Sequence, residues 1–259
     1  MYLDSTAIRR SFGRNAINYD QVANLQFEIG KKLLTQLDQI TINPNIILDL
    51  GSGTGWAGAV LQKHFLQAHV VEMDFALPML LFARKRAPTL SYVCADATYL
   101  PLHAGIVDLI YSNAMLQWCN DLQQVFINLR QTLTPNGLIL FTTFGPSTLQ
   151  ELRLAWLKVD TYPHVSTFLG LDNLKSILKN VGFKRVELHS ELKSLTCMDV
   201  KELMLNLKTL GAHNALHERA KGLTGKNRFA AMLKNYEQLR VNSQLPVSYE
   251  IIYGQAWNF

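Results

Sequence analysis

Cysteine is scarce in this sequence of 259 residues. The three cysteines, Cys94, Cys119 and Cys197, lie far apart and form no Cys-x-x-Cys pair. An odd, scattered set excludes an even disulfide framework and a cysteine-based zinc motif, and it favours a reducing compartment. We therefore expect a protein that depends on neither disulfides nor a bound metal.

Long apolar runs are also missing. No uninterrupted apolar stretch approaches the ~18 residues that a membrane span needs, and residues 1–10 contain no apolar signal core. Hydrophobic residues still make up 48% of the chain and charged residues 17%, which is enough for a core and excludes disorder. These features predict a cytoplasmic protein that does not bind membranes, built as one domain or as one domain with an insertion.

Acidic residues are outnumbered, 20 against 25 Lys and Arg, for a formal net charge of +5. Residues 201–240 alone hold eight Lys or Arg and three Glu, so this segment matches the excess of the whole chain. One interpretation is a solvated helical face. The other is a docking surface for an acidic partner, either a protein or a nucleic acid.

Short β-rich runs alternate with helical runs in the first half of the chain. Strands separated by ~10–15-residue helices indicate right-handed βαβ units and a mostly parallel sheet, hence an α/β fold. The expected strands are 46–50, 69–74, 91–96, 107–113 and 138–144, the helices are 56–65, 78–86 and 122–133, and 134–137 is expected as a turn.

The flanking segments are more helical. Residues 1–40 show helical spacing and are expected to form an N-terminal helical lid. After Pro146 we expect helices at 148–158, 171–181, 199–210 and 226–240, and strands at 183–192 and 248–257, the last as an edge strand. The predicted division is a core of 41–198 and 245–259 with a basic helical insertion at 199–244, in a single compact domain.

The first strand leads directly into a glycine loop. Gly51, Gly53 and Gly55 alternate there, immediately before a helix. Such a turn lets the backbone approach a ligand without Cβ clashes and points amides towards it. We predict a ligand site at this loop.

Two ligand classes fit the loop. Residues 53–58 satisfy G-x-G-x-x-G, and Asp74 follows at the spacing of a dinucleotide site, which would make the protein an oxidoreductase. However, Asp49 lies inside the strand, where a pyrophosphate gains nothing from an anion while the α-ammonium of a sulfonium amino acid gains an acceptor. Asp96, at the end of the third strand, could accept from an adenine amino group. We therefore favour S-adenosylmethionine and keep the dinucleotide as the alternative.

These motifs resemble those of class I S-adenosylmethionine-dependent methyltransferases. The resemblance implies a Rossmann-like, mostly parallel seven-stranded sheet with an antiparallel edge strand and a helical cap. It also implies S-adenosylmethionine as cofactor, S-adenosylhomocysteine as product, and no metal. The ribose would bind at Asp74 and the adenine at Asp96 and Ala97. The implied cofactor residues are Asp49, Gly51, Ser52, Gly53, Gly55, Asp74, Phe75, Met79, Asp96, Ala97 and Asn113.

Further segments narrow the resemblance, which extends from about residue 9 to 257. Residues 12–19, 113–119, 163–169, 207–214, 222–225 and 245–254 look like the malonyl-[acyl-carrier protein] O-methyltransferase family of biotin biosynthesis. Such enzymes would methylate the free carboxylate of a malonyl thioester on acyl-carrier protein, giving the ester that primes pimeloyl synthesis. Because that carboxylate is already ionised at neutral pH, the reaction requires no general base.

The resemblance also suggests residues for the substrate. Tyr19 is the candidate lid residue and hydrogen-bond donor, Gln117 with Trp118 would wall the pocket, and His164 and Lys208 would orient the malonyl carboxylate. Arg153 is a weaker candidate for that role. The residues expected to dock the acidic carrier protein are Lys221, Lys226 and Arg228.

Three other functions stay open at this stage. The chain could methylate another small molecule, such as a quinone precursor, or it could bind the cofactor without catalysis. An RNA substrate is disfavoured because there is no recognisable RNA-binding appendage and few aromatic residues are interleaved with the basic ones. We expect no nucleic-acid partner.

Overall fold

The structure of the protein, a computed structural model, describes residues 2–212, 214–219, 222 and 224–259. A seven-stranded sheet has the order β3-β2-β1-β4-β5-β7-β6. β1 to β5 are parallel, and β7 runs antiparallel to both β5 and β6. The strands are β1 Ile46–Leu50, β2 His69–Asp74, β3 Ser91–Cys94, β4 Val107–Ser112, β5 Leu133–Phe144, β6 Val186–Cys197 and β7 Leu245–Asn258.

Helices cover the sheet on both sides. They are α1 Ser5–Asn15, α2 Tyr19–Val22, α3 Asn24–Thr35, α4 Trp56–His64, α5 Leu77–Arg86, α6 Leu122–Thr132, α7 Gln150–Leu157, α8 Leu171–Val181, α9 Val200–Leu210 and α10 Lys226–Glu237, with 3₁₀ turns at Gln36–Gln39 and Leu116–Trp118. The predicted α/β class with a mostly parallel seven-stranded sheet is confirmed. The strand order reverses between β1 and β4, which is where ligands bind in open α/β sheets.

The structure differs from the sequence-based assignment around β5 and β7. Residues 134–137 were expected as a turn but belong to β5, with Asn136 in the left-handed region at φ 66°. Gly137 pairs with Asn258 of β7, and the Asn258 amide donates to the carbonyls of Leu133 and Thr134. The segment therefore joins the sheet by pairing with β7. The expectation that 248–257 forms an edge strand is wrong, because β7 pairs with β5 on one side and with β6 on the other, and β6 forms the edge.

The N-terminal helical segment divides into two parts. In α3, Ile29, Leu33 and Leu37 are buried in the apolar layer on one side of the sheet. The Tyr111 hydroxyl donates to the Gly30 carbonyl at 3.1 Å, and a Cβ at Gly30 would lie 2.7 Å from the Asn113 amide nitrogen. Because α3 packs this closely, it belongs to the core, while α1 and α2 lie over the ends of the strands.

The two helices between β6 and β7 pack against different neighbours. α10 lies against α7, with Met232 and Tyr236 buried beside Trp156, while α9 contacts α1 and α2. Within the part of the chain that the structure describes, no helix has both the length and the apolar character needed to cross a membrane.

Candidate functional site

A cavity of about 1000 Å³ opens at the carboxyl ends of β1 to β4. Each of these strands ends in a segment that lines the cavity, as the topology predicts. Of the residues expected to bind the cofactor, the cavity brings together Gly51, Gly53, Asp74, Phe75, Met79, Asp96, Ala97 and Asn113.

The glycine loop has the backbone conformation that its sequence requires. Gly51, Gly53 and Gly55 have φ values of 72°, 56° and 75°, in the region that side chains disfavour. The amide nitrogens of Gly51 and Ser52 donate to the Met73 carbonyl at 2.7 and 3.1 Å. The loop therefore folds back onto the end of β2 and leaves the Gly53 side of the backbone open to the cavity.

Asp74 joins this loop to the start of α5. Its Oδ2 accepts from the Gly53 amide at 3.0 Å and its Oδ1 from the Ala76 amide at 2.8 Å. Burial raises the pKa of Asp74 to about 6, against the effect of these backbone donors, which lower it. Near neutral pH it is a carboxylate whose remaining lone pairs suit a vicinal diol.

The Asp96 side of the cavity suits a flat heteroaromatic ring. Asp96 Oδ1 accepts from the Thr98 amide at 2.8 Å. Phe75, Met79 and Ala97 form apolar walls beside it. An acceptor next to apolar walls can hold an adenine ring and its exocyclic amino group.

Asp49 does not line the cavity. It is 1% exposed and pairs in register with Glu72 of β2. Asp49 Oδ2 and both Glu72 carboxyl oxygens have no hydrogen-bond partner among the described residues. Burial first, and Glu72 second, raise the pKa of Asp49 well above its ordinary value. Asp49 is therefore a buried residue of the strand that precedes the loop, and its carboxyl group does not face the cavity.

Glu72 lies against the N-terminus of α4, where a Cβ at Gly55 would come within 2.7 Å of its Oε2. Burial raises its pKa to about 7, with Arg86 opposing the shift and Asp74 adding to it. Between about pH 4.5 and 7 the folded chain retains a proton that the unfolded chain has released, so rising pH destabilises the fold across this window.

Replacing Glu72 with glutamine should remove this pH dependence. At pH 8 we expect the free energy of unfolding of Glu72→Gln to exceed that of the wild type by about 2 kcal/mol. At pH 4.5 the two proteins should differ little. Urea denaturation at both pH values measures the difference, with exposed Glu202→Gln as control. Equal pH slopes for Glu72→Gln and the wild type would contradict the prediction.

Asn113 and Gln117 follow β4 but have different surroundings. The Asn113 amide donates to the Gln26 carbonyl at 2.9 Å, and its Oδ1 accepts from Thr142 at 2.7 Å. Asn113 lines the cavity with its side chain fixed between α3 and β5. Gln117 is bonded to the Ala114 carbonyl and to Thr143, and does not line the cavity.

Tyr19, at the start of α2, also lines the cavity. Burial, then Asp74 and Asp20, raise the pKa of Tyr19, so its hydroxyl stays protonated. This hydroxyl has no hydrogen-bond partner among the described residues and is free to donate to a ligand. The neighbouring Asp20 accepts from the Thr54 hydroxyl at 2.6 Å and forms an ion pair with Arg86, which ties α2 to the glycine loop.

The remaining substrate candidates lie outside the cavity lining. His164 Nε2 contacts Asp160 Oδ1 at 2.9 Å, and the ring stacks on Trp156 with centroids 3.7 Å apart. Arg228 forms an ion pair with the same Asp160. Burial opposes but does not outweigh the bonds from Arg228 and His164, which hold the pKa of Asp160 below its usual value. This cluster anchors the segment before α8 to α10.

Lys208, Arg153 and the predicted docking residues also lie elsewhere. Lys208 is exposed on α9, and Arg153 donates to the carbonyls of Pro146 and Thr148. Lys226 is exposed at the first position of α10. Lys221 lies outside the described residues.

Four of the segments that narrowed the resemblance, 12–19, 113–119, 163–169 and 207–214, contact one another beside the cavity. Gly211 packs against Phe12, whose ring meets Trp118 edge-on at 5.3 Å, and the Asn214 amide donates to the Pro163 carbonyl. The polar residues of the outer lining were not predicted from sequence; they include Tyr2, Ser5, Asn120, Gln124 and Asn128. Only Asn120, which directly follows the segment 113–119, could have been found from a motif.

Comparisons with known proteins agree with this geometry. Residues 48–141 match the family described as a methyltransferase domain. The malonyl-[acyl-carrier protein] O-methyltransferase of Gallionella capsiferriformans (strain ES-2) is 39% identical, over 98% of this chain and 91% of that protein. The chain belongs to the malonyl-[acyl-carrier protein] O-methyltransferase family.

Two other relatives extend the comparison. The biotin biosynthesis bifunctional protein BioHC of Cellvibrio japonicus (strain Ueda107) is 38% identical over 97% of this chain and 50% of that protein. Phosphoethanolamine N-methyltransferase 2 of Haemonchus contortus, solved with S-adenosyl-L-methionine, shares the fold with a TM-score of 0.58. That likeness covers 94% of this chain and 57% of that chain at 16% identity.

As a member of this family, the protein is an S-adenosylmethionine-dependent O-methyltransferase, and the cavity fits that cofactor. Its volume accommodates a nucleoside with an amino-acid tail, and Asp74, Asp96 and the apolar walls match the polar and apolar parts of the adenosine. Among the described residues, no cluster of three or more His, Cys, Asp or Glu could hold a metal ion.

Proposed function

We propose that this protein methylates the free carboxylate of a malonyl thioester carried by acyl-carrier protein, as a step of biotin synthesis. Relatives with that name align over almost the whole chain. The alignment includes the segments that carry Phe12 and Trp118, whose rings meet in the cavity wall. This full-length match is the observation that carries the proposal, because the cofactor motifs alone would fit any class I methyltransferase.

In this proposal the adenosine lies between Asp74 and Asp96, with its ribose on Asp74. Gly51, Gly53 and Asn113 surround the amino-acid tail, while Ser52, Gly55 and Asp49 hold the loop in shape. S-adenosylmethionine supplies an electrophilic methyl group on a sulfonium ion.

The residues of this chain then act by placing the carboxylate and excluding water. Because the transfer neutralises charge, a dry site favours it over a hydrated one, and alignment of the reacting groups can supply several kcal/mol. Among the described lining residues there is no Lys, Arg or His. The neutral Tyr19 hydroxyl is thus the group that we assign to orienting the carboxylate.

The other substrate candidates keep indirect roles in the proposal. His164 and Lys208 reach the carboxylate only after a movement of the segments that carry them, since neither lines the cavity. Gln117 holds the Ala114 carbonyl at the end of β4 and so shapes the wall beside Asn113.

The direct test is incubation with labelled cofactor and three substrates: malonyl-carrier protein, acetyl-carrier protein and a carrier-free quinone precursor. We expect base-labile label on malonyl-carrier protein only, because of the two acyl groups only the malonyl group ends in a free carboxylate. Equal labelling of the acetyl form, or labelling of the quinone precursor alone, would reject the proposal.

Removing the Tyr19 hydroxyl should slow the reaction more than it weakens cofactor binding. For Tyr19→Phe we expect kcat to fall about tenfold or more through loss of one oriented hydrogen bond, with the Kd for S-adenosylhomocysteine within about threefold of the wild type. Steady-state kinetics and calorimetry measure the two effects. Tyr162→Phe, on an exposed loop, is the matched control. Unchanged turnover would reduce Tyr19 to a packing role.

A further inference from the structure

Helix α1 carries three exposed arginines on its outer face: Arg9, Arg10 and Arg14. The helix contains no acidic residue. Among the described residues, none of the three arginines takes part in an ion pair. Three guanidinium groups without an ion-pair partner among the described residues, within about one and a half helical turns, form a concentrated positive surface.

The outer face of α5 continues this surface. Gly13 and Pro78 bring the two helices together, since a Cβ at Gly13 would lie 3.2 Å from Pro78 Cγ. Beyond that contact Leu77 and Leu81 are 53% and 52% exposed, and Arg84 and Lys85 are exposed in the next turn. We call these residues of α1 and α5 the α1–α5 face; it combines five basic side chains with two exposed leucines.

The α1–α5 face borders the opening of the cavity. Ser5 and Tyr2 line the cavity and are themselves exposed, which marks them as part of its mouth. Arg9 lies one helical turn from Ser5, on the same side of α1. The inner sides of the two helices supply Phe12 and Met79 to the cavity wall. A protein bound to this face could therefore direct a flexible arm into the mouth.

The acids on neighbouring segments, Asp4 and Asp20, form no ion pair with the three arginines of α1. Asp4 caps α1 by accepting from the Ala7 amide at 2.9 Å. Asp20 is occupied by Thr54 and Arg86. The charge of Arg9, Arg10 and Arg14 thus remains available to a partner.

The basic stretch predicted from sequence offers less. Arg228 is bound to Asp160 and its guanidinium lies over Tyr162, 5.3 Å from the ring centroid. Lys226 is exposed, but α10 packs on α7 and contributes no residue to the cavity lining. A carrier protein docked on α10 would therefore contact a helix that has no residue at the cavity.

We propose that the α1–α5 face is the docking surface for the acidic carrier protein. This inference rests on the proposed function. The arginines would form forked hydrogen bonds with carboxylates on an acidic helix, and Leu77 with Leu81 would bury its apolar residues. Exposed charges of this kind accelerate association, and their effect weakens with salt.

The test compares two triple variants. In the first, Arg9, Arg10 and Arg14 are all replaced with alanine, which favours helix formation and preserves the fold. In the control, Lys175, Lys179 and Lys184 on and beside α8, also exposed cations but on a helix without cavity-lining residues, are replaced in the same way. Each protein is assayed with malonyl-carrier protein and with malonyl-pantetheine, which has the arm without the carrier. The Kd for labelled carrier protein is measured separately in the presence of S-adenosylhomocysteine.

For the arginine variant we expect KM and Kd for the carrier substrate to rise about tenfold. The Kd for S-adenosylhomocysteine and the rate with malonyl-pantetheine should stay at wild-type values, and the salt dependence of carrier binding should become weaker, with the remainder due to Arg84 and Lys85. The control should match the wild type. An unchanged carrier Kd in the arginine variant, or a larger effect from Lys226→Ala, would overturn the assignment. If wild-type protein methylates neither malonyl substrate but still binds the carrier protein through α1, the proposed function fails and the docking surface stands.

Discussion

Replacing Asp74 with alanine is expected to weaken binding of S-adenosylmethionine by at least about 100-fold. In the proposed binding mode the carboxylate accepts from both ribose hydroxyls, and a hydrogen bond to a charged group contributes about 1.5–3 kcal/mol. The same substitution removes the acceptor of the Gly53 and Ala76 amides, which leaves the glycine loop without its tie to α5. Both effects act on the cofactor site, so the loss should exceed that of one hydrogen bond.

Calorimetry with S-adenosylhomocysteine measures this loss. Asp172→Ala, at an exposed position on α8, is the control for removing one surface carboxylate. A urea titration separates lost binding from lost folding. Asp74→Asn keeps the shape and should recover part of the affinity, because its amide oxygen can still accept one hydroxyl. Wild-type affinity in Asp74→Ala would remove Asp74 from the site and with it the placement of the ribose.

Substituting alanine for Gly51 is expected to damage both the fold and the cofactor site. The residue has φ 72°, which costs a side chain about 1–2 kcal/mol. Its added Cβ would also overlap the side chain of Met115, and overpacking of this kind costs about 1–3 kcal/mol. We expect the free energy of unfolding to fall by about 3 kcal/mol and the cofactor Kd to rise more than tenfold as the loop shifts.

Gly105 provides the matched control for this substitution. It has a similar φ of 67°, but a Cβ there would meet nothing within 4 Å. Gly105→Ala should therefore lose only the conformational part of the stability and bind the cofactor normally. An added Cβ at Gly51 would overlap both Cγ and Cβ of Met115, so Met115→Ala removes only one of the two contacts. In the Met115→Gly background, which removes both, Gly51→Ala should regain the part of the stability due to overlap. If Gly51→Ala and Gly105→Ala behave alike, the contact with Met115 has no energetic role.

The local features of the cofactor site were predictable from sequence because they depend on neighbouring residues. Alternating glycines impose the loop at 51–55, and the strand before it is a continuous apolar run apart from Asp49. Acids at the ends of β2 and β3 reach one cavity because parallel strands bring their carboxyl ends to the same edge. The α/β class followed from the same alternation of strands and helices.

Contacts between residues far apart in sequence determine which of the predicted site residues face the cavity, and these contacts could not be predicted from the sequence. Asp49 and Asp74 are both acids near the loop, but Asp49 lies under it beside Glu72 while Asp74 faces the cavity. His164 was expected to orient the malonyl carboxylate and Arg228 to dock the carrier protein, yet each is bound to Asp160, which no motif indicates. Residues 134–137 have the sequence of a turn, but they belong to β5 because Asn258, more than 120 residues later, pairs with Gly137 and bonds to the Leu133 carbonyl.

The place of α3 in the apolar layer has a consequence for how much of this chain can fold alone. Ala23, Ile29 and Leu33 are almost fully buried, and a Cβ at Gly30 would crowd the Asn113 amide at 2.7 Å and the Tyr111 hydroxyl at 3.1 Å. A fragment beginning at residue 41 would retain the sheet and the glycine loop but expose the apolar side chains that α3 covers. We therefore expect a fragment that starts at about residue 23 to be more stable than one that starts at residue 41, and we expect an exchange of the two preceding helices to change which substrate enters the cavity.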